Sequence, residues 1–111
     1  MFYRRKHYVV VDEFVESLND LFTDVNRPNQ QKPGARRTGR WMITLGNGKT
    51  EIFAMWEYES VEAYRLIEAS VRSDLTHRKK IQDWYASHGG KDHVFRAYIK
   101  EVRDEEAISV A

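Results

Sequence analysis

Four histidines, six tyrosines and three tryptophans, with no cysteine, carry whatever chemistry this chain performs. The missing thiol removes disulfides, thiol nucleophiles and zinc–thiolate sites. His7, His77, His88 and His93 contain no pair at the i, i+4 spacing of a helical metal site, and no carboxylate set completes one, so no metal is expected. His88 and His93 flank Gly89-Gly90 and read as solvent-exposed. His7 is the one histidine in a strand-like stretch; with its neighbour Tyr8 it is the candidate acid or base. Ligand binding needs apolar walls and a few placed polar groups. Trp41, Trp56 and Tyr58 offer the walls, and Arg4, Lys6, Tyr8, Arg96 and Tyr98 the polar groups. Together they suggest a pocket between packed sheets for a small aromatic or amphipathic molecule, with no cofactor. Plain packing, with the cations at the sheet rim, is the competing account.

These residues must be positioned by strands, and the stretch from Arg36 to Ser60 organises the rest. Asn47-Gly48 is a strong signal for a two-residue type I′ hairpin turn. That turn puts Ile43 opposite Ile52, Trp41 opposite Ala54, Gly39 opposite Trp56 and Arg37 opposite Tyr58. On the other face it pairs Thr44 with Glu51, Met42 with Phe53, Arg40 with Met55, Thr38 with Glu57 and Arg36 with Glu59. Each Trp then meets a small residue and the outermost pair is Arg against Glu, which cross-strand packing favours. Glu57 and Glu59 are explained by that pairing without catalysis.

Phe2 to Val11 reads as the first strand, with Arg4, Lys6 and Tyr8 on one side and Arg5 and His7 on the other. Three consecutive cations there require water, a cavity or acidic partners on at least one face. Asp12 reads as the N-cap of an amphipathic helix through Phe14, Val15, Leu18, Leu21, Phe22 and Val25. Pro28 kinks or ends it, and Pro33-Gly34 turns into the hairpin. Ser60 caps a second helix with a stripe of Val61, Tyr64, Ile67, Val71 and Leu75; Ser73-Asp74 recaps a segment through Ile81, Trp84 and Tyr85. Arg78-Lys79-Lys80 is a solvated helix face. Gly89-Gly90 stops the helical region, and Val94 to Val102 reads as the last strand. The order β-α-β-β-α-β predicts an α+β, ferredoxin-like sandwich with two helices on one sheet face. The other face stays apolar and aromatic, which predicts a homodimer packed sheet to sheet.

The chain has 111 residues and a net charge of +1, which suits a single domain over residues 1–103 with a short tail at 104–111. Near-balanced charge argues against a nucleic-acid partner. No apolar run spans a membrane and no signal peptide opens the chain, so a soluble, cytoplasmic protein is expected.

Met55 to Ala63, MWEYESVEA, resembles the strand-three-to-helix-two segment of the NIPSNAP family. Phe2-Tyr3 followed by a basic strand ending in Tyr8, the step Gly39-Arg40-Trp41, and a late helix-one proline at Pro28 are similar to that family as well. The resemblance covers roughly the first seventy residues. It implies a dimeric α/β-barrel fold, and little about reaction. Within that superfamily the resemblance also points to cofactor-independent monooxygenases, and to haem-degrading oxygenases that use an Asn on strand one, a Trp on strand three and a His on helix two. Trp56 matches the Trp, His7 stands near the Asn position, and His77 falls later than the helix-two His. The enzyme alternative is therefore a cofactor-independent or haem-linked monooxygenase. A third reading is an interaction module without a ligand.

Overall fold

The computed structural model describes residues 1–26 and 34–110. Aromatic and β-branched residues make Phe2–Val11 the first strand, β1, over the range expected. It lies inside a four-stranded antiparallel sheet of order β2-β3-β1-β4, with β2 at Arg36–Thr44, β3 at Lys49–Tyr58 and β4 at Ile99–Ala107. This is the ferredoxin-like arrangement. After β1 a 3₁₀ turn (Asp12–Phe14) leads into α1 (Val15–Leu21), and a π turn follows at Phe22–Asn26. Phe14, Leu18 and Leu21 are buried, as the periodicity predicts. Asp12 does not cap the helix; its carboxylate accepts a hydrogen bond from the Thr50 hydroxyl at 2.7 Å. The readings of the Val25 side chain, Pro28 and Pro33 fall outside the described residues.

The hairpin closes differently from the expected turn. A type I′ turn needs positive φ at Asn47, and no described non-glycine residue has one. Instead Gly46 (φ 79°) and Gly48 (φ 81°) take the left-handed positions, and the Leu45 N–H donates to the Lys49 carbonyl at 3.0 Å. The longer loop shifts the register by one residue. Trp41 therefore faces Phe53, Met42 faces Ile52, Arg40 faces Ala54 and Ile43 faces Glu51. A bulge between Arg37 and Gly39 adds a second shift, leaving Arg37 opposite Trp56 and Arg36 opposite Glu57, with which it forms an ion pair. Period two then places Trp41 and Trp56 on opposite faces.

Ser60 caps α2 (Val61–Ser73), its Oγ accepting from the Ala63 N–H at 3.0 Å. Asp74 recaps the chain as α3 (Leu75–Ser87) by accepting from the His77 N–H at 3.1 Å. Gly89 and Gly90 then take positive φ and stop it. The expected last strand begins too early. Residues Lys91–Ala97 form a further helix, α4, because the Gly90 turn restarts the chain and one helical face buries Val94 completely. Arg96 is thus helical and Tyr98 is its C-cap. β4 then runs to Ala107, past the boundary expected at residue 103. It is a charged edge strand with most side chains exposed, so hydrophobic alternation does not announce it.

The helices cover the face bearing Thr50, Ile52, Ala54, Trp56 and Tyr58, all of them buried. Two core clusters form there. Val10, Phe14, Leu18, Leu21, Ile52, Val94 and Ile99 make one; Ala35, Ala54, Trp56, Tyr58 and Ile67 make the other. The opposite face holds Tyr3, Arg5, His7, Glu51, Phe53, Met55 and Trp41 by register.

Candidate functional site

The two core clusters do not merge, and the register says why. One row across the helix-side face reads Asp104, Lys6, Ala54, Arg40 from β4 to β2. An alanine between two long cations leaves space where the rows above and below place Ile52 and Trp56. The result is a cavity of about 170 Å³ between sheet and helices. Leu18, Phe22, Ile52, Ala54 and Trp56 form its apolar walls, and Lys6, Tyr8, Arg40 and His77 bring polar groups. That volume admits about one substituted ring, since an apolar cavity of about 150 Å³ takes benzene.

The two cations differ. Lys6 Nζ stands 3.7 Å from Glu68 Oε1 and 4.0 Å from Asp104 Oδ2, so its charge is offset from within the chain. Arg40 donates to the amide oxygen of Asn19 and lies over the Phe22 ring, 4.1 Å from its centroid. No carboxylate among the described residues pairs with it. Burial lowers its pKa, and the nearby Arg37 charge acts the same way. Burial also lowers the His77 pKa, favouring its neutral imidazole, and pushes the Tyr8 hydroxyl upward.

The candidates read from sequence do not share one place. Lys6, Tyr8 and Trp56 come together in the cavity. Tyr58 is buried in the adjoining cluster, and Arg4 is engaged with Asp104, its Nε at 2.9 Å from Oδ1. Trp41 lies on the far face, stacked on Phe53 with centroids 5.5 Å apart. Tyr98 stacks on Phe14 at 4.5 Å, and Arg96 is exposed on α4; neither lines the cavity. This cavity therefore sits between sheet and helices, and the residues expected to line an inter-sheet space lie on two faces of the sheet. His7 also points to the far face, where it is buried, with Nε2 3.4 Å from Glu51 Oε1. It cannot act together with Trp56 on one molecule or grip a haem from the same side. His88 is half-buried against Trp84 rather than solvent-exposed, its Nδ1 2.8 Å from the Trp84 carbonyl oxygen. Arg40, Ala54, Leu18 and Phe22 were missed as lining residues. Arg40 and Ala54 become legible once the pair Gly46 and Gly48 is read as a three-residue loop.

The acidic partners that the Arg4-Arg5-Lys6 run demands are present. Asp104 serves Arg4, Glu51 and Glu105 serve Arg5, and Glu68 serves Lys6. Three buried polar atoms have no hydrogen-bond partner among the described residues: His7 Nδ1, Glu68 Oε1 and the Tyr58 hydroxyl. Burial raises the Tyr58 pKa, with Glu68 adding to the effect. An unfolded tyrosine ionises near pH 10 while folded Tyr58 and Tyr8 keep their protons, so above that pH the unfolded chain binds fewer protons. The unfolding free energy must then fall as pH rises, by about 1.4 kcal/mol per pH unit for each such tyrosine. Urea midpoints at pH 9 and 11 measure this. Tyr58→Phe is expected to add up to about 1 kcal/mol at pH 7 and to flatten the alkaline loss.

A four-stranded ferredoxin-like sheet, helices on one face and a small cavity beneath them define the class of the molecule. The solved structures it resembles refine that class. A NIPSNAP-family protein of unknown function from Agrobacterium tumefaciens superposes with a TM-score of 0.69 at 15% identity, covering 96% of this chain and 86% of its own. An uncharacterized NIPSNAP-like domain protein from Burkholderia xenovorans gives 0.70 at 11% identity, covering 99% of this chain and 85% of its own. A dimeric ferredoxin-like protein from an uncultured marine organism gives 0.54 at 12% identity, covering 98% and 95%. The chain thus has the fold of NIPSNAP proteins. No protein-family profile and no curated protein matches it.

Proposed function

We propose that this chain is a NIPSNAP-like protein that works as a homodimer and binds a small aromatic or amphipathic molecule between its sheet and its helices. The observation that carries the reading is the Lys6-Ala54-Arg40 row, which holds two core clusters apart and leaves a walled space instead of a void that collapses. Apolar walls and a few convergent polar groups are what a small-molecule site requires. The face away from the helices supports the dimer. Trp41 and Ile43 remain about half exposed there, and one of the similar solved structures is described as dimeric. Among the described residues no helix is long and apolar enough to cross a membrane.

Native mass spectrometry of freshly purified protein, alone and with a panel of single-ring compounds, tests this. A dimer carrying a defined extra mass is expected. Ala54→Leu extends a side chain into the cavity, so it should cost no more than about 1–3 kcal/mol and remove the bound mass. Retention of the same mass in that variant would place the ligand elsewhere and overturn the site.

A further inference from the structure

We infer that the cavity selects an acid: a single-ring carboxylate whose anion pairs with Arg40 while its ring occupies the space above Ala54. This rests on the cavity reading above and adds the chemical class of the ligand. The charge balance inside the site carries it. Lys6 and Arg40 flank Ala54 on neighbouring strands, so both cations border the same space. Lys6 is already offset by Glu68 and Asp104. Arg40 is half-buried and, among the described residues, pairs with no carboxylate and donates to the neutral Asn19 side chain alone. Residues 27–33, between α1 and β2 in sequence, contain no Asp or Glu. Arg37 lies 5.6 Å from the centroid of the same ring and adds a second positive charge nearby. A guanidinium removed from water without an anion is costly, and a carboxylate in its fork recovers that cost through paired charge-assisted hydrogen bonds. The Phe22 ring beneath Arg40 holds the fork in place.

Isothermal titration of the wild-type protein with phenylacetate and with phenylacetamide separates charge from shape, since the two differ little in size. Phenylacetate is expected to bind at least tenfold more tightly. Arg40→Gln keeps most of the stem and removes the charge, and should abolish the difference; Arg40→Lys should retain part of it. Equal wild-type affinities for the two compounds overturn the acid selection and leave the cavity reading standing. Discrimination that survives Arg40→Gln overturns the role of Arg40. If neither compound binds, and the panel of single-ring compounds finds no ligand that Ala54→Leu excludes, both readings fall together.

Discussion

Trp56→Ala is expected to lower the unfolding free energy by about 3–5 kcal/mol, the usual cost of truncating a buried tryptophan. Trp56 is 1% exposed and packs with Tyr58, Ile67 and Phe22. It also walls the cavity between sheet and helices, so its removal joins a new void to an existing one, and the neighbours cannot close both. A domain of this size holds about 5–15 kcal/mol in total, so the variant stands near the edge of stability. A thermal melt should fall by roughly 15–25 °C. A shift below about 5 °C would mean that the side chain is not the keystone of its cluster.

Trp41→Glu is expected to convert the proposed dimer to monomer without unfolding the chain. Trp41 is 49% exposed in the single chain, so little of the chain's own core depends on it. Its ring lies along its own strand over Gly39, where an added Cβ would come within 2.2 Å of the ring, and it stacks on Phe53. If two copies join through this face, the substitution buries an unpaired carboxylate in each half of the contact, by symmetry. The dimer dissociation constant should rise at least a hundredfold, which sedimentation across micromolar concentrations would detect. An unchanged dimer would show that the copies meet through another surface.

Much of the fold was legible because its signals are local. Ser60 and Asp74 announce their helices by side-chain caps, and Phe14, Leu18 and Leu21 share one helical face; each needs only neighbours in sequence. What failed was what depends on partners far away. Val94 to Tyr98 alternates well enough to pass for a strand, and only the Gly90 turn and the burial of Val94 make it helix. β4 is charged along its length because Asp104 and Glu105 answer Arg4 and Arg5, one hundred positions distant. Within the candidate site, Lys6, Tyr8 and Trp56 were identified from residue type, but Arg40 was hidden by a one-residue error in register. Side-chain facing in a strand has period two, so the smallest error has the largest effect.

The bulge beside Thr38 gives β2 two phases. From the hairpin to Gly39, odd-numbered residues look away from the helices; before the bulge, odd-numbered Arg37 looks toward them. Arg37 and Arg40 would point in opposite directions on an uninterrupted strand, and here both reach the Phe22 ring from one side. A single extra residue therefore acts as a parity switch. It brings two cations to one aromatic ring without a second basic residue at the regular spacing, while Trp41 keeps its outward orientation. Any comparison of this strand with a relative's must count that residue as a gap, or it will assign one half of β2 to the wrong side of the sheet.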